Sequence, residues 1–260
     1  MTVMTTTASA IARRGSYDGV LEIISYNRGL YAWAATGVVA GLVIAMRLPP
    51  IIALASLAVI CIAAGWTLTS IAVSHYVYDR SSLYDFRWMR DQLRRVPRRW
   101  VNIHSGLDQS TDILRSVFPE SEGAVFDIYD PVEMTEPSIT RARTLSTGKQ
   151  QARHADFRSL PLPDSSCDAV FLIFSAHEIR RRGSRARFFE ELTRVLALNG
   201  TVILMEHLRD TANFLAFGPG CLHFHARREW LRAAAAGNFR VRQERSITPF
   251  VRVFVLEKQT

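Results

Sequence analysis

Two long stretches of this chain contain no charged residue: "GLYAWAATGVVAGLVIAM" (Gly29 to Met46) and "IIALASLAVICIAAGWTLTSIAV" (Ile51 to Val73). Each is close to the ~20 apolar residues that carry a helix across a hydrocarbon core, where the backbone must satisfy its own hydrogen bonds. "RLPP" separates them, so a tight helical hairpin turning at Pro49 and Pro50 is expected over 29–73. Tyr26, Tyr31, Trp33, Tyr76 and Tyr78 lie near the ends that would meet one interface, where amphipathic rings collect. A signal peptide would start earlier and would not be followed at once by a second apolar run. Two buried helices of a globular core would be expected to show a polar face, and neither segment has one.

The formal charge of +8 and pI near 9.9 call for an anionic neighbour. Its placement favours a lipid surface over nucleic acid, which is not expected as a partner. Arg47 is the sole charge in the turn, whereas Arg13, Arg14 and Arg28 precede the hairpin and Arg80, Arg87, Arg90, Arg94, Arg95, Arg98 and Arg99 follow it. The positive-inside rule then puts both termini in the cytoplasm, with 1–28 as a cytoplasmic tail. Cys61, Cys167 and Cys221 lack C-x-x-C spacing, which suits a reducing compartment and argues against a disulfide framework.

Residues 74–99 read as a basic amphipathic connector. In "SSLYDFRWMRDQLRRV" a capping-box pattern of Ser82 with Asp85 precedes Leu83, Phe86, Met89, Leu93 and Val96 at helical spacing, and Pro97 ends the run. Its apolar stripe can lie on the membrane surface or pack on the domain that follows. From Trp100 the pattern alternates. "WVNIH", "GAVFDIYD", "ARHAD", "CDAVFLIFSA" and "TVILMEHL" read as strands, with helical segments such as "SRARFFEELTRVLALNG" and "ARREWLRAAAAG" between and after them. "FRVRQERSI" and "FVRVFVLEK" look like a closing antiparallel pair. This order predicts an α/β domain over 100–260, with helices on both faces of a largely parallel sheet. Ligands of such sheets bind beyond the carboxyl ends of the strands.

The segment "ADFRSLPLPDSSCDAVFLIFSAHEI", followed by "FFEELTRVLALNGTVILMEH", resembles the class I S-adenosylmethionine-dependent methyltransferases of the small-molecule, quinone-biosynthesis type. The resemblance covers Trp100 to Lys258 and not the hairpin. It implies a Rossmann-like sheet and S-adenosylmethionine as methyl donor. It assigns Asp127 to the ribose hydroxyls, and Asp156 followed by Phe157 to the adenine. In "WVNIHSGLDQST", at the place of the family's glycine-rich turn, Asn102 stands for the family's acid, and His104, Gly106 and Asp108 for its three glycines. Asn102 and Gly106 are the expected donor-binding positions there, and this first motif is degenerate. Asp168, at the start of a strand, reads as a structural turn residue.

Five of the seven histidines, His104, His177, His207, His223 and His225, fall in segments that the alternation places at the carboxyl edge of the sheet. Glu178, Glu206, Asp108 and Asp210 accompany them. Neutral imidazoles with carboxylates are a usual ligand set for zinc or non-haem iron. A milder use is a general base near the acceptor, for which His177 and His207 are the candidates. Leu215, Phe217, Leu222 and Phe224 form an apolar cover for such an edge. The leading expectation is a membrane-anchored methyltransferase acting on a lipid-like or other apolar small molecule. The alternatives are a metal-dependent enzyme on the same scaffold that transfers no methyl group, and a non-catalytic membrane-bound assembly subunit.

Overall fold

The structure, a computed structural model, describes residues 15–146 and 152–259. Arg13 and Arg14, counted in the charge bias above, lie outside the described residues. Among the described residues the first element is a short helix, α1 (Asp18–Tyr26), in a region read from the sequence only as a tail. It is followed by the hairpin helices α2 (Arg28–Ala45) and α3 (Pro50–His75). Pro49 and Pro50 sit where the chain re-enters a helix, a position at which a missing N–H costs nothing. Two segments are long and apolar enough to cross a membrane, Arg28–Ala45 and, with the π-helical turn Tyr76–Arg80, Pro50–Arg80; in an apolar 18-residue window of each, 6% and 0% of the residues are buried.

That π-helical turn ties the hairpin to what surrounds it. The Asp79 carboxylate accepts the backbone N–H groups of Gly19 at 2.6 Å and Val20 at 3.0 Å, closing the orphan amino end of α1. Gly19 has no room for a side chain, since a Cβ there would lie 2.5 Å from Cβ of Tyr78.

Beyond a short helix α4 (Trp88–Gln92), the chain builds one seven-stranded sheet. Its strands are β1 (Arg99–His104), β2 (Glu122–Asp127), β3 (Arg153–His154), β4 (Cys167–Ile173), β5 (Leu196–His207), β6 (Phe239–Thr248) and β7 (Val251–Lys258). The order is β3-β2-β1-β4-β5-β7-β6, with β7 running antiparallel to both β5 and β6. The strands from β3 to β5 pair in parallel. The near-continuous apolar run of β4, Cys167–Ile173, is that of a strand covered on both faces. The helices between and after them are α5 (Thr111–Val117), α6 (Pro137–Ser146), α7 (Arg182–Val195), α8 (Thr211–Phe217) and α9 (Arg227–Ala236).

One face of the sheet buries Phe188, Phe189, Leu192 and Val195 of α7 together with Trp230 of α9. The other buries Leu114, Val117 and Phe118 beside Val77, Leu83, Phe86 and Met89 of the connector. The connector's apolar stripe therefore packs on the domain, and only Trp88–Gln92 of the expected long helix is α-helical. Its arginines follow the same path. Arg94 meets Glu257, Arg95 meets Asp168 and Arg99 meets Glu122, at 2.7, 2.6 and 2.9 Å. Glu122 and Asp168 lie at the amino ends of β2 and β4, so this part of the basic cluster is engaged at the sheet edge away from the hairpin. Asp168 is the structural residue it was read to be. It also accepts the backbone N–H groups of Arg98 and Arg99, at 2.8 and 3.1 Å.

Candidate functional site

A cavity of about 280 Å³ lies between the hairpin and the carboxyl edge of the sheet. The sheet side contributes Ser105 and Leu107 after β1, Phe174, His177 and Glu178 after β4, and His207 at the end of β5. The opposite wall is Ile23 and Tyr26 of α1, Leu30 and Tyr31 of α2, and Ser70 and Ser74 of α3. Tyr31 and Ser70 share a hydrogen bond of 3.3 Å across the two hairpin helices. Sequence reasoning missed this wall, because nothing in an apolar run marks which residues will face a neighbouring domain.

α8 closes one flank. Trp66 of α3 meets Phe214 edge-on, with ring centroids 5.5 Å apart. Gly218, at φ +55°, lets the chain turn there, and a Cβ would lie 3.0 Å from the Trp66 ring. Phe214, Leu215 and Leu222 remain exposed beside α3, while Phe217 and Phe224 turn into the cavity.

The histidines at this edge do not converge. Among the described residues no group of three or more His, Cys, Asp or Glu could hold a metal ion, so the metal reading of His104, His177, His207, His223 and His225 is corrected. Each ring is occupied by its own partners. His177 places Nδ1 at 2.7 Å from Glu206 and Nε2 at 3.3 Å from Glu178. Burial opposes its charge, but the two carboxylates outweigh burial and raise it to about 10, so it is an imidazolium at neutral pH. His207 is stacked between Phe174 and Phe224, at 4.9 Å from each ring. Its Nδ1 donates to the Phe250 carbonyl at 2.8 Å, and its Nε2 takes the Tyr78 hydroxyl at 2.8 Å. Burial pushes it down to about 3, so it is neutral. The Arg185 guanidinium donates to Nε2 of His225 at 3.0 Å. Burial, then the charges of Arg185, Arg180 and His177, lower His225 to about 3. His223 donates Nδ1–H to the Gly220 carbonyl at 2.7 Å, and burial followed by the charge of His177 lowers it to about 4.

The glycine-poor turn has its own logic. Asn102, 1% exposed, donates through Nδ2 to Ser110 at 2.9 Å and Thr111 at 2.8 Å. Asp108 turns inward, and its Oδ1 accepts the N–H groups of Ser110 and Thr111 at the start of α5. A negative charge at a helix amino end is stabilised there. His104 accepts the Gly106 N–H on Nδ1 at 3.1 Å, which fixes its proton on Nε2. That Nε2 and Asn102 Oδ1 are buried with no hydrogen-bond partner among the described residues. Gly106 has φ +116°, and the space over it holds the Arg143 side chain from α6, whose Cγ lies 2.4 Å from where a Cβ would be. Arg143 also bonds Asp127 at 2.5 Å and stacks over Tyr129 at 4.2 Å. Asp127 accepts the Tyr129 N–H through its other oxygen. A bare glycine, two unpaired buried polar atoms and a strand-end carboxylate fit a ligand rich in hydrogen-bonding groups, as the amino-acid and ribose portions of S-adenosylmethionine are.

The remaining candidates lie apart from the cavity. Asp156 is exposed and binds Arg158 through its N–H at 2.8 Å and its guanidinium at 3.3 Å. The Phe157 ring is wholly buried and meets Phe188 edge-on at 6.2 Å. Asn102, Gly106, Asp127, Asp156 and Phe157 are not among the cavity's lining residues; Ser105 and Leu107, flanking Gly106, are. The space by Gly106 and Asp127 is thus partly filled by Arg143, while the space by His177 and His207 is open.

Residues 123–204 match a family model described as "Methyltransferase domain". Among solved structures, the chain is similar to geranyl diphosphate C-methyltransferase from Streptomyces coelicolor A3(2), at 15% identity and a TM-score of 0.50, covering 73% of this chain and 82% of that one. A SAM-dependent methyltransferase from Aquifex aeolicus is 17% identical with a TM-score of 0.48, over 68% of this chain and 93% of that one. The PH0226 protein from Pyrococcus horikoshii OT3 gives 16% and 0.49, over 69% and 93%. No curated protein matches the chain.

Proposed function

We propose that this class I S-adenosylmethionine-dependent methyltransferase is held in a membrane by its apolar hairpin and methylates an apolar, lipid-like small molecule. The observation that carries this reading is the shared cavity. One wall is the sheet edge and the other is the end of the hairpin that in this reading faces the cytoplasm, so a molecule leaving the bilayer beside Leu30 and Tyr31 would enter the space that His177 and His207 line. Quinones, isoprenoids and fatty-acyl compounds have the shape and polarity for that route. The exposed Phe214, Leu215 and Leu222 sit beside α3 and would lie in the same interface. Both termini and the enzymatic domain are then cytoplasmic, with membrane lipids as partners.

In this reading Asp127 takes the ribose hydroxyls, and Gly106 lets the donor approach the backbone. Asn102 Oδ1 and His104 Nε2 supply one acceptor and one donor to its amino-acid end. Asp156, which is exposed, would take the adenine amino group, with Phe157 beside it. The donor supplies an electrophilic methyl group, and transfer by in-line displacement asks the protein mainly for positioning. His177 and His207 do that at the acceptor. His177, already protonated, contributes a fixed charge and not a free base. His207, with both nitrogens engaged, holds Tyr78 in the cavity wall.

The test is label transfer. The full chain in lipid vesicles carrying a mixed quinol, prenol and fatty-acyl pool is incubated with tritium-labelled S-adenosylmethionine. Label recovered in the organic phase supports the reading. Label that stays wholly in the aqueous and protein phases overturns it.

A further inference from the structure

Glu178 ends the 3₁₀ turn Ala176–Glu178 after β4, lines the cavity and is 8% exposed. Its Oε1 faces His177, but its Oε2 is buried with no hydrogen-bond partner among the described residues. The turn cannot easily swing to relieve this. Glu206 behind it accepts the backbone N–H groups of Ala176 and His177, at 3.0 and 3.2 Å, and holds the His177 ring from the far side. The nearest donors point elsewhere. Arg180 donates Nη1 to the His223 carbonyl at 2.5 Å and turns Nη2 toward Glu136 at 4.0 Å, and His223 spends its one N–H on Gly220. Burial works to raise the Glu178 carboxyl, and the His177 imidazolium outweighs it, leaving the group below the usual carboxylate range and ionised. A buried, ionised oxygen without a donor is costly unless something in the cavity supplies one.

We propose that Glu178 recognises the acceptor, its Oε2 receiving a hydrogen bond from a hydroxyl or amino group on the head of the apolar molecule. The proposal rests on the cavity being the acceptor site, and it narrows the acceptor class. Phenol, alcohol and amine heads are taken. Phosphate and carboxylate heads are turned away, because they would bring a second anionic oxygen, without a hydrogen to give, against the ionised Glu178 Oε2.

The test uses the full chain in lipid nanodiscs without any methyl donor. It is titrated calorimetrically with 4-nonylphenol, 4-nonylaniline, 4-nonylanisole and nonyl phosphate, against empty nanodiscs. The phenol or the aniline is expected to bind about tenfold more tightly than the anisole, and the phosphate more weakly than any of them. The arm that binds best tells oxygen from nitrogen heads. In Glu178→Leu the preference over the anisole should fall below about threefold. Should that variant fail to fold, Glu178→Gln keeps the size and one neutral acceptor, and its preference must also fall. An anisole that binds as well as both donor-bearing heads overturns the proposal. So does a preference that survives in the variants, or a phosphate that binds best. With no donor present, failure here leaves methyl transfer to be judged by the label experiment alone.

Discussion

Arg143 fills the space over Gly106, which the proposed function gives to the methyl donor, and removing it has a calculable effect. Its guanidinium bonds Asp127 at 2.5 Å, with side-chain exposures of 32% and 15%, and lies 4.2 Å over Tyr129. A partly exposed ion pair of this kind is worth up to about 1 kcal/mol after screening and lost side-chain freedom. The stacking contact adds about 0.5–1 kcal/mol. A donor that claims Asp127 must break both, so its observed affinity is lowered by about 0.5–2 kcal/mol, a factor of roughly 2–30. Arg143→Ala should therefore tighten S-adenosylmethionine binding by that factor. Calorimetric titration of wild type and variant in detergent reads it directly. Equal affinities, or weaker binding in the variant, would refute the reasoning, since Arg143 would then be out of the donor's path or would itself hold the donor.

Further outcomes follow from the same geometry. The folded His177 value of about 10 lies above the ~6.5 of an unfolded histidine. Its contribution, on the order of several kcal/mol, is therefore whole below about pH 6.5 and lost as pH rises through about 10. Thermal unfolding should show a falling melting temperature between pH 7 and 10, with a shallower fall in His177→Gln; parallel curves would contradict this. Asp168→Ala frees two backbone N–H groups and Arg95 at the amino end of the sheet. It should cost about 1–2 kcal/mol of stability in denaturant titrations while donor affinity stays unchanged. Tyr78→Phe removes the hydroxyl on His207 Nε2. A loss of about 1 kcal/mol is expected, and an unchanged unfolding midpoint would show that the bond contributes nothing.

The sheet was legible because its central strands, β1, β4 and β5, are largely buried on both faces. Runs such as "CDAVFLI" can be little else, and the closing antiparallel pair announces itself by two adjacent β-rich stretches. The resemblance of Ala155–Ile179 to the methyltransferase pattern fixed the order of the parts. The connector misled for a physical reason. A periodic apolar stripe records burial at Leu83, Phe86 and Met89 but not whether the chain between them is helical, and here most of it is turns pressed on the sheet.

The site was legible by position and not by partnership. The sequence brought His177, His207 and His223 to one edge, yet burial beside Glu206 and Glu178 charges one ring while burial among phenylalanines neutralises another. Asp108 stands where the resemblance expects a glycine, and it turns to the start of α5. Arg143 had no signal at all. It is one arginine in an exposed helical pattern, and only the fold lays it over Gly106.

The central claim is that this degenerate turn still receives a methyl donor. The most direct measurement is calorimetric titration of the full chain with S-adenosylmethionine, beside Asp127→Ala. The account predicts one donor bound per chain, with affinity lost by about tenfold or more in the variant as the ribose contacts disappear. No detectable binding to the wild type, or binding indifferent to Asp127, would contradict it.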